Sequence, residues 1–262
     1  MLAAIALVAA IVAARADDQG VDLKLVLAVD ASGSVDESEF ALQMGGIAAA
    51  FRDPAVREAI RSGPKKRIAV NVTVWAQHEV PKDSTGWSVL STDADIDRFS
   101  AMVSTFPRRV NGGTGMGSGL AAALHELEAS GLEAPREVVD ISGDGAESAA
   151  RDYVVMMPQA RQMAMAMGVV VNGLAILGEV GVDEWYRSNV LVGPGSFLIV
   201  ASDYEDFAEA MRRKLLREIT HDARLSELPR YLSLPGLTRQ SIPPQPPAPQ
   251  IRHDGSPQQV RG

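Results

Sequence analysis

The chain has no cysteine in its 262 residues. This absence excludes disulfide bonds, thiol catalysis, zinc sites built on cysteine and a lipid anchor attached to cysteine. Basic residues are outnumbered, with 25 Lys and Arg against 33 Asp and Glu, so the net charge is −8. An acidic chain without a basic block argues against nucleic acid as a partner, although it leaves a basic protein partner open.

A long apolar run is also missing. The longest, Leu2 to Ala14, is shorter than the roughly 20 residues that a membrane-spanning helix needs. Ala14-Arg15-Ala16 follows as a small-x-small cleavage pattern, so we predict a signal peptide over residues 1–16. The alternative is a buried N-terminal strand or helix, and the basic residue that usually follows Met1 is absent. The prediction implies a periplasmic or secreted protein with no membrane span after processing.

The C-terminal end differs in composition from the rest. Eight of the fifteen prolines lie beyond His221, and no apolar periodicity is left there. We therefore predict one folded domain over residues 17–220 and a proline-rich, disordered tail over residues 221–262.

Between these ends, short apolar runs alternate with helical patterns, which is typical of an α/β domain with a mostly parallel sheet. The sequence predicts a doubly wound, Rossmann-like sheet of six strands, with helices on both faces and one antiparallel strand at the edge, Trp87 to Leu90. The other predicted strands are Leu23–Val29, Lys66–Trp75, Glu137–Ile141, Val169–Leu177 and Phe197–Val200.

Polar side chains follow the first predicted strand directly. Asp30-Ala31-Ser32-Gly33-Ser34 places one carboxylate and two hydroxyls at alternate positions, where parallel sheets bind ligands. Oxygen ligands of this kind suit Mg²⁺, Mn²⁺ or Ca²⁺ rather than Zn²⁺. Taken alone, Asp30 would fit a helix cap or a turn better than a metal site.

This segment resembles the D-x-S-x-S signature of von Willebrand factor A domains, in which it forms the first loop of a metal-ion-dependent adhesion site. The resemblance implies two further loops. Gly112 to Gly117 supplies Thr114, and Val138 to Gly145 supplies Asp144. Ser142-Gly143-Asp144-Gly145 departs from the commoner Thr-Asp-Gly, which leaves the geometry of the third loop open. The details are similar to a group of exported bacterial proteins of this type whose function is uncharacterised.

The resemblance also implies how the site works. Ser32 and Ser34 would bind the metal directly, Asp30 and Asp144 through hydrogen bonds or water, and Thr114 in either way. The expected ion is Mg²⁺ or Mn²⁺, with Ca²⁺ less favoured. A partner protein would complete the coordination with an Asp or Glu carboxylate, so the protein is expected to bind rather than catalyse.

Two alternatives remain open. One is a metal-dependent hydrolase of phosphate or acyl esters, which needs a general base beside the serines. Only His78 and Glu147 are available for that role, and no Gly-x-Ser-x-Gly surrounds either serine. The other is a structural domain whose site is empty. Asp140, inside a predicted buried strand, has no partner that the sequence identifies.

Overall fold

The computed structural model describes residues 20–79, 81–149 and 153–220. The predicted signal peptide and the predicted proline-rich tail lie outside these residues, so both stay predictions, as does the boundary at residue 17.

The described residues form seven strands and seven helices. The strands are β1 Lys24–Asp30, β2 Ile68–Trp75, β3 Asp83–Ser84, β4 Ser88–Leu90, β5 Glu137–Gly143, β6 Val170–Ile176 and β7 Leu198–Ala201. The helices are α1 Glu37–Arg52, α2 Pro54–Ser62, α3 Asp93–Ser104, α4 Met116–Ala129, α5 Met157–Met167, α6 Val182–Asn189 and α7 Phe207–Thr220.

The strands form one sheet in the order β3-β2-β1-β5-β6-β7. The five strands β2, β1, β5, β6 and β7 are parallel to one another. Strands β3 and β4 both run antiparallel to β2 along the same edge. The predicted α/β architecture is thus confirmed, except that two short strands rather than one cover the edge. The chain leaves β1 towards β2 on one side and returns to β5 on the other, and such a reversal opens a crevice at the carboxyl ends of the strands.

Helices cover both faces of this sheet, because its central strands are apolar on both sides. Along β1, Leu25, Leu27 and Val29 face one core, which also contains residues of α1, α2, α3 and α7. Val26 and Ala28 face the other core, with residues of α4, α5 and α6. The two cores hold β1 and β5 rigidly, and the carboxyl ends of these strands carry the candidate site.

A buried ion pair joins the sheet to the last helix. The ammonium group of Lys214 on α7 lies 3.0 Å from Oδ1 of Asp140 on β5. The same ammonium group donates to the carbonyl of Gly173 on β6, at 3.2 Å. The charged residue that looked out of place in a buried strand therefore has a partner on a distant helix.

Candidate metal site

Three loops meet at the carboxyl ends of β1 and β5. The loop after β1 is joined to the loop before α4 by a hydrogen bond from Gly33 N to the carbonyl of Gly112, at 2.6 Å. The loop before α4 is joined to the loop after β5 by reciprocal bonds between Thr114 and Ser148. Thr114 N donates to Ser148 Oγ at 3.2 Å, and Ser148 N donates to the Thr114 carbonyl at 2.9 Å.

Asp30 lies at the bottom of the site and is completely buried. Its Oδ1 accepts a hydrogen bond from Ser32 N at 2.7 Å, which turns the loop sharply after β1. Its backbone carbonyl accepts from Gln43 Nε2 on α1, at 3.0 Å. Its Oδ2 has no hydrogen-bond partner among the described residues.

Arg108 supports the same loop from the opposite side. Its guanidinium group donates to the carbonyls of Ala31 and Ser32, at 3.1 and 3.0 Å. The side chain is only 9% exposed, and it also lies 3.4 Å from a carboxylate oxygen of Glu37. Arg108 therefore places a fixed positive charge beside the backbone of this loop.

A chain of side-chain oxygens leads from the first loop to the third. Ser32 Oγ and Ser34 Oγ are 3.3 Å apart, and Ser34 Oγ donates to Asp144 Oδ1 at 2.7 Å. The other oxygen of Asp144 accepts from the hydroxyl of Tyr204, at 3.0 Å. Asp144 is thus held from both sides in a largely buried position.

These oxygens suit a small divalent cation. Oxygen ligands at right angles around one Mg²⁺ lie about 3 Å apart, given metal–oxygen distances of 2.0–2.1 Å, and the two contacts of Ser34 bracket that value. The set is rich in hydroxyls, and the described residues contain no cluster of three or more His, Cys, Asp or Glu side chains that could hold a metal. Any cation held here would therefore keep positions open for other oxygens.

Burial dominates the electrostatics of the site. The pKa of Asp30 is raised to about 7, mainly by burial and to a lesser extent by the charge of Asp144, while the hydrogen bonds from Ser32 and the charge of Arg108 oppose the shift. Burial and the Asp144 carboxylate also raise the pKa of the Tyr204 hydroxyl, which therefore stays a hydrogen-bond donor. A cation would relieve the unfavourable burial of both carboxylates.

Ser34, Thr114 and Asp144 line one open cleft of about 1010 Å³. The lining contains seven acidic residues and no Lys or Arg: Asp36, Glu39, Asp144, Glu147, Glu179, Asp203 and Glu205. The rim of the candidate site is therefore strongly acidic.

The structure brings together Asp30, Ser32, Ser34 and Asp144, and it places Thr114 across the same cleft. Sequence reasoning missed Tyr204, Gln43 and Arg108, which hold the first and third loops. Gln43 and Arg108 bond to backbone carbonyls, which leave no motif in a sequence. Tyr204 follows the last predicted strand, as site residues often do, and that position was its only signal.

The two candidate bases have other roles. Glu147 accepts from Gly117 N at 2.7 Å and from Met157 N at 2.9 Å, so its carboxylate caps the N-termini of α4 and α5. His78 lies 3.3 Å from Ser118 Oγ and 3.2 Å from the Ser148 carbonyl.

The fold is that of a von Willebrand factor A domain. It is similar to the pilus adhesin SpaC from Lactobacillus rhamnosus GG, with a TM-score of 0.55 and 14% identity over 77% of this chain and 31% of that one. It is also similar to a von Willebrand factor type A protein from Catenulispora acidiphila, with a TM-score of 0.54 and 14% identity over 76% and 43% of the two chains. The chain thus spans less than half the length of either protein.

A third similar structure is the vWF domain of the type V pili tip protein Mfa5 from Porphyromonas gingivalis. Its TM-score is 0.51, with 10% identity over 84% of this chain and 99% of that one. At such identities the likeness establishes the fold alone.

The family of this chain is established by its sequence rather than by these structural likenesses. The model of a protein family of unknown function, DUF1194, matches residues 20–223. Because the match covers most of the chain, the protein belongs to this family. No curated protein matches it. None of the helices in the described residues is long and apolar enough to cross a membrane.

Proposed function

We propose that this protein is an exported binding module that holds Mg²⁺ or Mn²⁺ and binds a partner protein through an Asp or Glu carboxylate of that partner. One observation carries the proposal. Asp30, Ser32 and Ser34 at the end of β1 meet Asp144 at the end of β5 beside one open cleft, with Ser34 Oγ bonded to Asp144 Oδ1 at 2.7 Å.

The roles of the residues follow from their surroundings. Ser32, Ser34 and Thr114 would offer neutral oxygens to the cation, while Asp30 and Asp144 would balance its charge. Because few anionic ligands would contact it, a bound cation would remain a strong Lewis acid and attract a carboxylate from outside.

The acidic rim restricts the partner further. A carboxylate that approaches the cleft must pass six other acidic residues besides Asp144, and like charges disfavour that approach. The partner is therefore expected to present its coordinating carboxylate among Lys or Arg side chains. Such a surface would satisfy both the cation and the rim.

The contacts of Glu147 and His78 count against the hydrolase alternative. Both carboxylate oxygens of Glu147 accept backbone N–H groups at the N-termini of α4 and α5. His78 is bonded to Ser118 and to the Ser148 carbonyl rather than to Ser32 or Ser34. Neither group is hydrogen-bonded to Ser32 or Ser34.

Export is supported by the predicted signal peptide. The similar structures include a pilus adhesin and the vWF domain of a pilus tip protein, which agrees with a binding role for this chain outside the cytoplasm.

The test is capture of envelope proteins on the immobilised protein in Mg²⁺, followed by elution with EDTA. We expect a specific partner that EDTA releases and that Ser34→Ala fails to retain. Ser38→Ala is the matched control, because Ser38 lines the same cleft but its hydroxyl bonds only to Asp36, at 2.7 Å. Equal capture in EDTA, or by Ser34→Ala, would contradict a metal-mediated contact.

A further inference from the structure

Two buried oxygens share one small space beside the candidate site. Oδ2 of Asp30 and the hydroxyl of Tyr186 are both buried, and neither has a hydrogen-bond partner among the described residues. A Cβ atom placed on Gly143 would lie 2.6 Å from the Asp30 oxygen and 2.8 Å from the Tyr186 hydroxyl. The two groups therefore meet where residue 143 has no side chain.

The strands are built to admit the Tyr186 ring. Gly173 on β6 also lacks a side chain where the ring lies, since a Cβ there would be 3.0 Å from Tyr186 Cδ1. Gly143 and Gly173 thus form a slot in neighbouring strands, and the ring fills it from α6. A phenylalanine would fill this slot equally well, so packing alone does not account for the hydroxyl.

A second tyrosine shows what such a hydroxyl can do. Tyr204 donates to Asp144 at 3.0 Å and holds the other carboxylate of the site. A buried donor without a partner is unfavourable, and the unpartnered oxygen beside Tyr186 belongs to Asp30. Supporting hydrogen bonds of this kind orient the groups around metal ions and affect their affinity.

We infer that Tyr186 is a positioning residue for the candidate metal site, and that its hydroxyl donates to Oδ2 of Asp30 when the site holds a divalent cation. The inference rests on the proposed function. The bond fixes the Asp30 carboxylate so that Oδ1 stays with Ser32 N. It also explains the glycine before Asp144, because any side chain at position 143 would displace this pair.

The test compares Mn²⁺ affinity, measured by calorimetry, in the native protein and in Tyr186→Phe. We expect the Kd for Mn²⁺ to be about tenfold higher in the variant. The variant should lose no thermal stability in EDTA, because its ring still fills the slot. Ser100→Ala is the matched control. It removes another buried hydroxyl that has no partner among the described residues, in α3 away from the cleft, and it should leave the Kd unchanged.

An unchanged Kd in Tyr186→Phe would overturn the inference, as would an equal loss in Ser100→Ala. If the native protein binds neither Mn²⁺ nor Mg²⁺, the proposed function fails and the inference fails with it. If the native protein binds Mn²⁺ and Tyr186→Phe binds it with the same Kd, the inference alone is rejected.

Discussion

Asp30 is the residue on which the account depends most. Its carboxylate is completely buried, has one unpartnered oxygen and lies near a second carboxylate, Asp144. Each of these features favours the neutral form in the absence of a cation. A group placed at such a cost in stability is characteristic of functional sites rather than of ordinary cores.

The pH dependence of stability should reveal this cost. The pKa of Asp30 is raised from 3.8 to about 7 on folding. Between these values the folded protein holds a proton that the unfolded chain has lost, so stability falls as pH rises through this window. In EDTA, native protein should therefore lose more stability between pH 4 and pH 7 than Asp30→Asn, as measured by urea unfolding. Parallel pH profiles of the two proteins would show that folding does not raise the pKa of Asp30.

At this scale the sequence predicted which side chains form the candidate site but not which residues hold them in place. Asp30, Ser32 and Ser34 could be found because they are close together in the chain and follow a strand. Thr114 and Asp144 could be found only through the family resemblance. Arg108, Tyr186 and Tyr204 could not be found, because their contacts depend on distances between elements that the sequence does not give.

Helices α1 and α7 pack closely together at Gly46. A Cβ on Gly46 would lie 2.8 Å from the Phe207 ring and 3.2 Å from the Ala208 backbone, whereas a Cβ on Gly45 would meet nothing within 4 Å. The two glycines are adjacent in the middle of α1. Replacing each of them by alanine therefore separates the effect of close packing from the effect of helix propensity.

We expect Gly46→Ala to destabilise the protein by about 1–3 kcal/mol through overpacking. Gly45→Ala should stabilise it by about 0.5–1 kcal/mol, because alanine is the better helix former. Urea unfolding of the two variants measures the difference directly. Equal effects would mean that α7 does not press against α1 at this point.

The buried pair of Asp140 and Lys214 fixes α7 to the sheet. Both side chains are at most 1% exposed, so loss of one partner would leave the other charge unpaired in the interior. Lys214→Met should therefore cost about 3–5 kcal/mol. Arg213→Met on the same helix is the control, because its side chain is 47% exposed and surface changes are usually within about 0.5 kcal/mol. A small effect of Lys214→Met on urea unfolding would contradict an essential pair.

This ion pair is a contact between elements that the sequence pattern could not predict. The pattern of apolar runs predicted the order of strands and helices, the parallel sheet and its antiparallel edge. It could not pair Asp140 with Lys214, because periodicity shows which face of an element is buried but not which residues meet across two elements.

The whole molecule is acidic, and the cleft carries a local excess of negative charge. Acidic residues line it without Lys or Arg, in a chain of net charge −8. Such a field attracts cations and basic surfaces, and it is screened by salt over roughly 10 Å.

This field should change metal affinity without any direct contact. Glu205→Lys at the cleft should weaken Mn²⁺ binding at low ionic strength, because it changes the charge beside a divalent ion by two units, and it should weaken the binding less in high salt. Glu128→Lys, an exposed residue on α4, should have no such effect. Equal effects of the two variants would show that the acidic rim does not act on the site.

The most direct test of the account is thermal unfolding of the purified protein in EDTA and then in excess Mg²⁺ or Mn²⁺, beside Ser34→Ala. An ion at a hundred times its Kd that binds only the folded state adds about 2.7 kcal/mol, which corresponds to roughly 5–10 °C for a domain of this size. We predict this upward shift in the native protein and little or none in Ser34→Ala. No shift with either ion, or an equal shift in the variant, would contradict a metal site at these loops.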